Sequence, residues 1–480
     1  MTRTLLFLSL ALFSWQTRAA DWHVDGSAAA GGTGSASDPF DTIASGIDAA
    51  MPGDIVVVSA GTYTETATTV RSGTESSPIT IEGDGAVIVE NSGRVLVIDH
   101  SWITVRSIVF DGLWGDRVPV TVNGTNSHVR LEDCEVRNTA RDCVDLDSAS
   151  DVTIDGCRIH HCLRWEGERV DAHGVTCGGV VRLTIRDSQI YQFSGDAIQL
   201  SPSRDFWDEL LVQSTTMWIG PLGPTGSGFP EGSVPGENAF DAKTPDSGPR
   251  SRAVFRDVTA HGFSGAISNQ GVFNVKENCE VIIDGVTIYD SEIAFRLRHP
   301  SLVTVMNAVV FDCDYGVRYE DGITDLLLLN STFGDGIGTF LRDASSDVAP
   351  TVQNCLFLSD TLPSEADSTN MLANATFFDD AAGDDYHLLE TSPPVDAGIT
   401  LTDVTTDRDW ISRPQGSAYD VGAYEWTDTP PPDDPPDASF PDTSADPAPD
   451  ASADAPVDTA SDDGTQDGAE ASGCGCTLVR

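Results

Sequence analysis

One short sequence pattern carries most of the charged side chains that could do chemistry in the middle of this chain. The pattern is small–apolar–X–apolar–X, and we assign it to residues 239–243, 266–270 and 294–298. A β-strand alternates its side chains between two faces, so the apolar residues of each copy point inward and the X residues point outward. When such strands stack in register, the outward positions form columns and predict one charge-rich surface. Its predicted members are Asp241, Lys243, Ser268, Gln270, Arg296 and Arg298.

Lysine is nearly absent from the chain, which draws attention to the two that remain. Lys243 lies on the predicted surface, whereas Lys276 is expected in a turn before Cys279, beyond the outward strand. The net charge is −48, which argues against nucleic acid and anionic membranes as partners. Local clusters of positive charge in such a chain are candidates for binding an acidic ligand.

The two ends of the chain have compositions of their own. Residues 1–20 are typical of a secretory signal, with Arg3, an apolar run from Leu5 to Trp15, and small residues after it. No later segment approaches the roughly 20 apolar residues of a membrane span, so the mature chain is expected to be secreted or on the cell surface. Residues 427–480 are predicted to form a disordered acidic tail rich in Asp and Pro that ends in GCGC.

Between these ends, a repeat indicates the elements that position the charged residues. Segments such as ITVRSIVF, VTIDGCRI and VIIDGVTI recur from residue 102 to residue 357, with Gly, Asn or Asp at the turns. Short apolar strands at this period predict an all-β parallel solenoid of about eleven turns with a continuous core. A sandwich or barrel would require hairpin turns, which are scarce here.

The segment before the repeat predicts a cap for the open end of the solenoid. Asp41 is a candidate N-cap for a helix over residues 41–51 that carries Ile43, Ile47 and Met51 on one face. Such a helix would cover strand edges that otherwise favour aggregation.

Two further features of the repeat region leave alternatives open. Cys134 and Cys157 occupy the same repeat position, about 4.8 Å apart, which suits either a disulfide or a ladder of buried thiols. A Gly- and Pro-rich insertion lies between Leu200 and Glu237. It is either a disordered bulge or, as we favour, a wall beside the charged surface.

The repeat resembles right-handed parallel β-helix proteins of the pectate-lyase-like superfamily, including chondroitinase B and the family 9 pectate lyases. The resemblance covers residues 22–425 and implies a single-stranded right-handed parallel β-helix over residues 21–360, with its N-terminal cap. The segment SPPVDAG…DRDWISRPQGSAYDVGAYEW, within a predicted end module of residues 361–426, resembles the terminal module called choice-of-anchor Q. The GCGC tail resembles the surface-anchoring C-terminus of myxobacterial proteins.

The resemblance also implies a function and a set of roles. It implies a calcium-assisted polysaccharide lyase that cleaves a uronate-containing, acidic polysaccharide by β-elimination and is expected to be a monomer. Lys243 would be the base, with Arg296 as its catalytic partner. Substrate binding would fall to Arg298, Gln270 and Arg318, because guanidinium groups bind carboxylates or sulfates in a bidentate manner.

Calcium is the cofactor that the resemblance implies. Its predicted ligands are hard oxygen donors from adjoining turns, namely Asp196, Glu237, Asn238 and Asp241. Carboxylates this close together repel unless a cation joins them.

Two other functions remain open. A hydrolase would use Asp142, Asp145 and His173, in segments that faintly resemble polygalacturonase motifs, although Arg141 replaces the first carboxylate of that motif. The third alternative is a non-catalytic cell-surface protein that binds glycans or another cell.

Overall fold

The computed structural model describes residues 19–432, except 125–126, 202, 204, 299–300 and 345–347, and also Phe440. The signal-like residues 1–18 and most of the predicted tail, including GCGC, lie outside the described residues. In the described part the chain forms a parallel β-solenoid, in which each strand pairs with the strands one turn before and one turn after it. We call each turn a rung. The predicted solenoid is therefore confirmed. No helix in these residues is long and apolar enough to cross a membrane.

Within the described residues the rungs build two large sheets. The wide sheet has 22 strands in two adjacent columns. The columns merge because some strands, such as Asp208–Trp218 and Ser251–His261, run around the bend between them. The strands of the wide sheet are Asp21–Val24, Ile55–Tyr63, Ile79–Glu90, Ile103–Arg106, Val109–Gly115, Val129–Glu132, Glu135–Thr139, Ser150–Asp155, Arg158–Cys162, Val181–Arg186, Gln189–Phe193, Asp208–Trp218, Ser251–His261, Cys279–Asp284, Thr287–Tyr289, Leu302–Met306, Val309–Val310, Asp325–Leu329, Thr332–Phe333, Thr351–Gln353, Leu356–Leu358 and Met371–Ala373.

The narrow sheet forms the remaining face of the solenoid. Its 11 strands, within the described ranges, are Ala67–Thr68, Leu96–Ile98, Val120–Asn123, Val144–Asp147, Val175–Gly178, Ile198–Leu200, Phe240–Ala242, Gly271–Val275, Ser291–Arg298, Cys313–Glu320 and Thr339–Ala344. Two small antiparallel pairs lie outside these sheets, Arg164–Trp165 with Arg169–Val170 and Phe378–Asp380 with Asp385–Leu388. Two short 3-10 helices span Ala375–Phe377 and Ala381–Gly383.

The interior is filled by side chains that stack from rung to rung. Phe240, Phe255, Phe273 and Phe295 are all fully buried, with successive ring centroids 4.7, 4.9 and 5.8 Å apart. Offset and edge-to-face packing at these distances adds to the free energy gained by burying the rings. The inward orientation predicted for Phe240 and Phe295 is confirmed.

The structure decides between a disulfide and a ladder of buried thiols for the two cysteines at the same repeat position. Cys134 and Cys157 are free and buried, so these two residues form the thiol ladder and not the disulfide. A disulfide instead joins Cys143 to Cys162, a pair that their sequence positions did not single out.

The N-terminal cap is present but differs in detail from its prediction. The helix spans Ile43–Ala49, and its N-cap is Thr42, whose side chain accepts a hydrogen bond from the Ser45 backbone N–H. The prediction of Asp41 as the N-cap is therefore wrong by one residue. Met51 is also misplaced, because it follows the end of the helix and is 55% exposed.

The C-terminal part of the chain packs back along the solenoid. Met371–Ala373 still pairs with the wide sheet, so the sheet continues past the predicted boundary at residue 360. The residues after it contact a row of turn asparagines in the left-handed conformation, which Asn tolerates better than most residues. Asn330 donates to the backbone oxygen of Asp420 (3.0 Å), and Asn354 donates to that of Ile399 (2.7 Å).

His387 makes the stability of this end module dependent on pH. Its ring lies between Asp409 (2.8 Å) and Asp385 (2.6 Å), and these contacts raise the pKa of His387 to about 9. A raised pKa stabilises the fold fully below pH 6.5, the usual pKa of the ring, and the contribution is lost as the pH rises through about 9. We expect the melting temperature to fall over this range, with a loss of about 1 kcal/mol because the side chain is 44% exposed. The variant His387→Gln should flatten the profile, and an unchanged slope would contradict the assignment.

Candidate functional site

A polar column runs along the outer face of the narrow sheet. Gln199 pairs with Asp241, Asp241 with Asn274, and Asn274 with Arg296. Each of these side chains points away from the core, next to a buried apolar neighbour on its own strand. The column then continues through Arg318 and Arg342, so six successive rungs contribute to it.

The predicted column is correct in two of its three rungs. Its middle strand was placed at residues 266–270, whereas the strand is Gly271–Val275. The segment with Ser268 and Gln270 is a loop that precedes this strand. A signal was nevertheless present in the sequence, because residues 272–276 carry the same apolar–X–apolar–X alternation, with Val272 in place of the small residue and Asn274 and Lys276 outward.

Asp241 is the centre of the cluster. Lys276 Nζ lies 2.6 Å from its Oδ1, and Asn274 Nδ2 donates to the same oxygen at 2.8 Å. Gln199 Nε2 donates to Oδ2 at 3.3 Å, and Lys243 Nζ is 3.6 Å from Oδ2. Burial and the charge of Asp196 raise the pKa of Asp241, while the two lysines act against this rise. We call Asp241 and these four neighbours the Asp241 cluster.

Both lysines of the chain thus meet at one carboxylate, which corrects the position expected for Lys276. Lys276 does follow the strand Gly271–Val275 and precede Cys279, but its side chain reaches back to Asp241 and so joins the cluster. The side chain of Lys276 is 17% exposed and that of Lys243 is 27% exposed. Lys243 is therefore the more accessible of the two amines.

Asp196 lies beside the cluster and is bonded to it through Gln199. Its Oδ1 accepts from the backbone N–H of Asn238 at 3.2 Å and from Asn238 Nδ2 at 2.7 Å. Its Oδ2 accepts from Gln199 Nε2 at 3.1 Å. Its own backbone N–H donates to His173 Nδ1 at 2.8 Å. Asp196 is only 2% exposed, so its contacts are internal to the protein.

The four residues predicted to bind calcium therefore have different environments. Asp196, Asn238 and Asp241 are linked by the contacts just described, whereas the carboxylate of Glu237 pairs with Arg169. Burial and the charges of Asp196 and Asp171 raise the pKa of Glu237. No group of three or more His, Cys, Asp or Glu residues in the described part of the chain is arranged to hold a metal ion. Calcium binding stays a prediction.

A second cluster is formed by arginines around one buried carboxylate. Arg296 Nε donates to Glu320 Oε1 at 2.8 Å, and Arg318 Nε donates to Glu320 Oε2 at 2.9 Å. Arg298 Nε is 3.3 Å from Glu320 and its Nη2 is 3.2 Å from Asp321. The backbone oxygen of Asn269 accepts from Arg296, and its side-chain oxygen accepts from Arg318. These contacts hold the guanidinium groups in fixed orientations.

Gln270 belongs neither to the Asp241 cluster nor to the arginines around Glu320. It is fully buried, its Nε2 donates to the backbone oxygen of Gly236, and its Oε1 accepts from the backbone N–H of Ala266. The prediction that Gln270 binds substrate is therefore wrong, because its amide holds two loops together. Arg342 was missed by the sequence pattern. It lies one rung beyond Arg318, with its guanidinium 4.8 Å from the centre of the Tyr315 ring.

The insertion predicted as a wall has an ordered path. Leu222 and Phe229 from this insertion pack with Leu163, Trp114 and Trp165 in a small apolar cluster. The insertion therefore rests on rungs that precede Asp241 in the chain. Glu237, at its end, is held by Arg169 from the hairpin that follows Leu163.

The residues of the hydrolase alternative have mainly internal contacts. Asp142 Oδ1 accepts from the backbone N–H of His173 at 2.8 Å. Asp145 is on the same column as Asp241, and burial together with Asp142 and Asp147 raises its pKa to about 6. Three rung steps separate Asp145 from Asp241, which is about 14 Å at ~4.8 Å a step. The carboxyl groups of an inverting hydrolase lie about 6.5–9.5 Å apart, so Asp145 does not form such a pair with Asp241, and the hydrolase role of Asp142, Asp145 and His173 stays a prediction.

Comparisons with known proteins bear on the fold. A family model described as right handed beta helix region matches residues 119–206. The comparison with curated proteins finds no match. Among solved structures, pectate lyase Pel9A is similar with a TM-score of 0.56 and 14% identity, over 86% of this chain and 97% of that one.

Two other lyase structures are less similar. A rhamnogalacturonan lyase has a TM-score of 0.45 and 15% identity, over 75% of this chain and 91% of that one. An alginate lyase from Paenibacillus sp. str. FPU-7 has a TM-score of 0.37 and 16% identity, over 65% of this chain and 95% of that one. At 14% identity, the likeness to Pel9A concerns the architecture alone. Together with the stacked parallel sheets, the family model and the Pel9A structure show that this chain has a right-handed parallel β-helix fold.

Proposed function

We propose that this protein is an exported polysaccharide lyase that cleaves a uronate-containing polymer by β-elimination. The observation that carries the proposal is the meeting of both lysines of the chain at Asp241, in one column with fixed arginines. A protein of net charge −48 would repel an acidic polymer unless a local basic surface attracted it. The fold that the chain shares with pectate lyase Pel9A supports the same class of reaction by analogy only.

The reaction has three requirements: removal of a proton, departure of the glycosidic oxygen, and stabilisation of the negative charge that develops. Lys243, the more exposed amine, removes the proton on the carbon next to the uronate carboxylate. The electrons of that C–H bond form a carbon–carbon double bond, and the bond from the neighbouring carbon to the glycosidic oxygen breaks. The leaving oxygen keeps the bond's electrons and takes a proton from water. Positive charge near the carboxylate stabilises the negative charge that develops in the transition state.

The arginine cluster positions the polymer for this step. Arg296, Arg318 and Arg342 follow one another at about 4.8 Å intervals, the spacing of adjacent strands. Guanidinium groups whose orientation is already fixed by Glu320 and Asn269 lose little rotational freedom when they bind carboxylates. The column can thus hold an extended acidic chain along the axis of the solenoid.

Export is part of the proposal. It is supported by the signal-like composition of residues 1–20 and by the disulfide between Cys143 and Cys162, since disulfides persist in oxidising compartments. An extracellular polysaccharide would be accessible to the enzyme there.

The test is an assay of the purified full chain on a panel of acidic and neutral polysaccharides. Ultraviolet absorbance from the new carbon–carbon double bond, rising together with new reducing ends, would support the lyase. Reducing ends without that absorbance would indicate a hydrolase and overturn the proposal. Binding to a glycan without cleavage would also overturn it and would favour the non-catalytic alternative.

Arg296→Ala should raise KM at least about tenfold with a smaller change in kcat. The variant removes a charge that contacts the polymer but leaves both lysines in place. Initial rates over a range of polymer concentrations measure the two constants. The matched control is Arg182→Ala, since Arg182 pairs with Asp151 on neighbouring strands of the wide sheet. An equal effect of the two variants would show that only overall charge matters.

A further inference from the structure

We infer that Lys276 supplies, at Asp241, the positive charge for which calcium was predicted, so that this site works without a metal ion. The inference rests on the proposed function for its catalytic meaning, but the contacts behind it are independent of any activity. It concerns a residue that the pattern of the sequence had placed outside the site.

The first argument is the set of donors around Asp241. A carboxylate has about four lone-pair positions for hydrogen-bond donors. Oδ1 of Asp241 accepts from Lys276 and Asn274, and Oδ2 faces Gln199 and Lys243. Each oxygen thus faces two nitrogen donors. Calcium needs six to eight oxygen ligands with free lone pairs, and the ammonium group of Lys276 beside the same carboxylate repels a divalent cation.

The second argument is the state of the neighbouring carboxylates. Asp196 has its oxygens bonded to the amides of Asn238 and Gln199, and Glu237 is paired with Arg169. The repulsion that led us to predict a metal is therefore relieved by amides and by cationic side chains. Each predicted ligand would have to break an existing contact before it could bind calcium.

The third argument is the position of Lys276 itself. Val275 pairs with Leu297, so the following residue, Lys276, lies beside Arg298 at the edge of the arginine cluster. Its ammonium group is held by Asp241, yet the side chain is still 17% exposed. A substrate carboxylate can therefore approach this fixed charge while Lys243 accepts the proton. Lys276 would in this way take the charge-neutralising role in the reaction.

Calorimetry and melting temperatures of the full chain, with Ca²⁺ or with EDTA, test this inference without any assay of activity. For the wild type we expect no heat of Ca²⁺ binding at this site and the same melting temperature in both solutions. Lys276→Gln removes the ammonium group from Oδ1 of Asp241, which then keeps only the Asn274 donor, and it removes a repelling charge, so this variant should gain a Ca²⁺-dependent rise in melting temperature. Lys276→Arg keeps the charge and should remain indifferent to Ca²⁺.

Two results would overturn the inference. One is a wild-type protein that binds Ca²⁺ with a stabilisation that Asp241→Asn removes. The other is a folded Lys276→Gln variant that stays indifferent to Ca²⁺. If the variant fails to fold, the wild-type measurements still decide. A protein that cleaves no polysaccharide would refute the proposed function. The assignment of Lys276 to the place of the metal would still be decided by the Ca²⁺ measurements.

Discussion

Replacing Lys243 with alanine should lower kcat on the cleaved polysaccharide by about 10²–10⁴-fold, the range typical of a lost general base. The variant removes the amine that accepts the proton, while Asp241 keeps its 2.6 Å contact with Lys276. The fold should be intact, because the side chain of Lys243 is 27% exposed and its contact with Asp241 is the longer one, at 3.6 Å. Initial rates at saturating substrate give kcat, and the melting temperature monitors folding.

The control for this variant is Arg182→Ala, which removes one positive charge away from the column. It should keep nearly full activity. Lys243→Ala with wild-type kcat would refute the role of Lys243 as base, whatever the substrate. A matching loss of kcat in Arg182→Ala would show that the effect comes from long-range charge.

Arg413→Met should destabilise the protein by about 3–5 kcal/mol, the usual result of removing one partner of a buried ion pair. Arg413 and Glu425 are both fully buried, with Nη1 2.7 Å from Oε1. Arg413 Nη2 also donates to Asn307 Oδ1 at 3.2 Å and to the backbone oxygens of Gly422 and Ala423, both at 2.9 Å. The variant leaves the charge of Glu425 buried without its cation, and it leaves these three acceptors and the backbone oxygens of Thr406 and Asp420 without this donor.

Urea denaturation of the wild type and the variant measures the loss. The double variant Arg413→Met/Glu425→Gln should recover part of it, because no uncompensated charge is then buried. As a matched control, Arg298→Ala removes an arginine whose side chain is 32% exposed and should cost about 1 kcal/mol or less. A cost below about 1 kcal/mol for Arg413→Met would contradict the structural role given to this pair.

The fold was predictable from the sequence because the period of the apolar strands determines it directly. Every rung must bury alternate side chains along its strands. The inward orientation of large apolar residues such as Phe240 and Phe295 can therefore be predicted from the sequence. The pattern also placed Asp241, Lys243 and Arg296 on one face. In contrast, the middle strand was misplaced because neither segment fits the pattern fully: residues 266–270 have the polar Asn269 at an inward position, and residues 272–276 begin with Val272 and not with a small residue.

Other parts of the site depend on contacts that no local pattern encodes. The burial of Gln270 follows from the positions of Gly236 and Ala266, which come from different loops. Arg318 lies two residues before Glu320 on the same strand, but only the register of Ser291–Arg298 with Cys313–Glu320 brings Arg296 and Arg298 to this carboxylate. The position of Lys276 likewise follows from register, since one rung step returns its side chain to Asp241.

The end module changes the way in which this solenoid unfolds. In a repeat protein each turn contacts only its neighbours, so terminal turns fray first and unfolding spreads inward. Here Arg408 reaches Asp257 and Thr287, on rungs well inside the stack, and Arg413 reaches Asn307. The last rungs cannot fray until the end module has dissociated from them. Their unfolding therefore becomes part of one cooperative transition. The contacts of the end module join residues far apart in the sequence, so it docks only after the rungs that it contacts have formed. Resistance to proteolysis at this end of the chain should therefore be acquired late in folding.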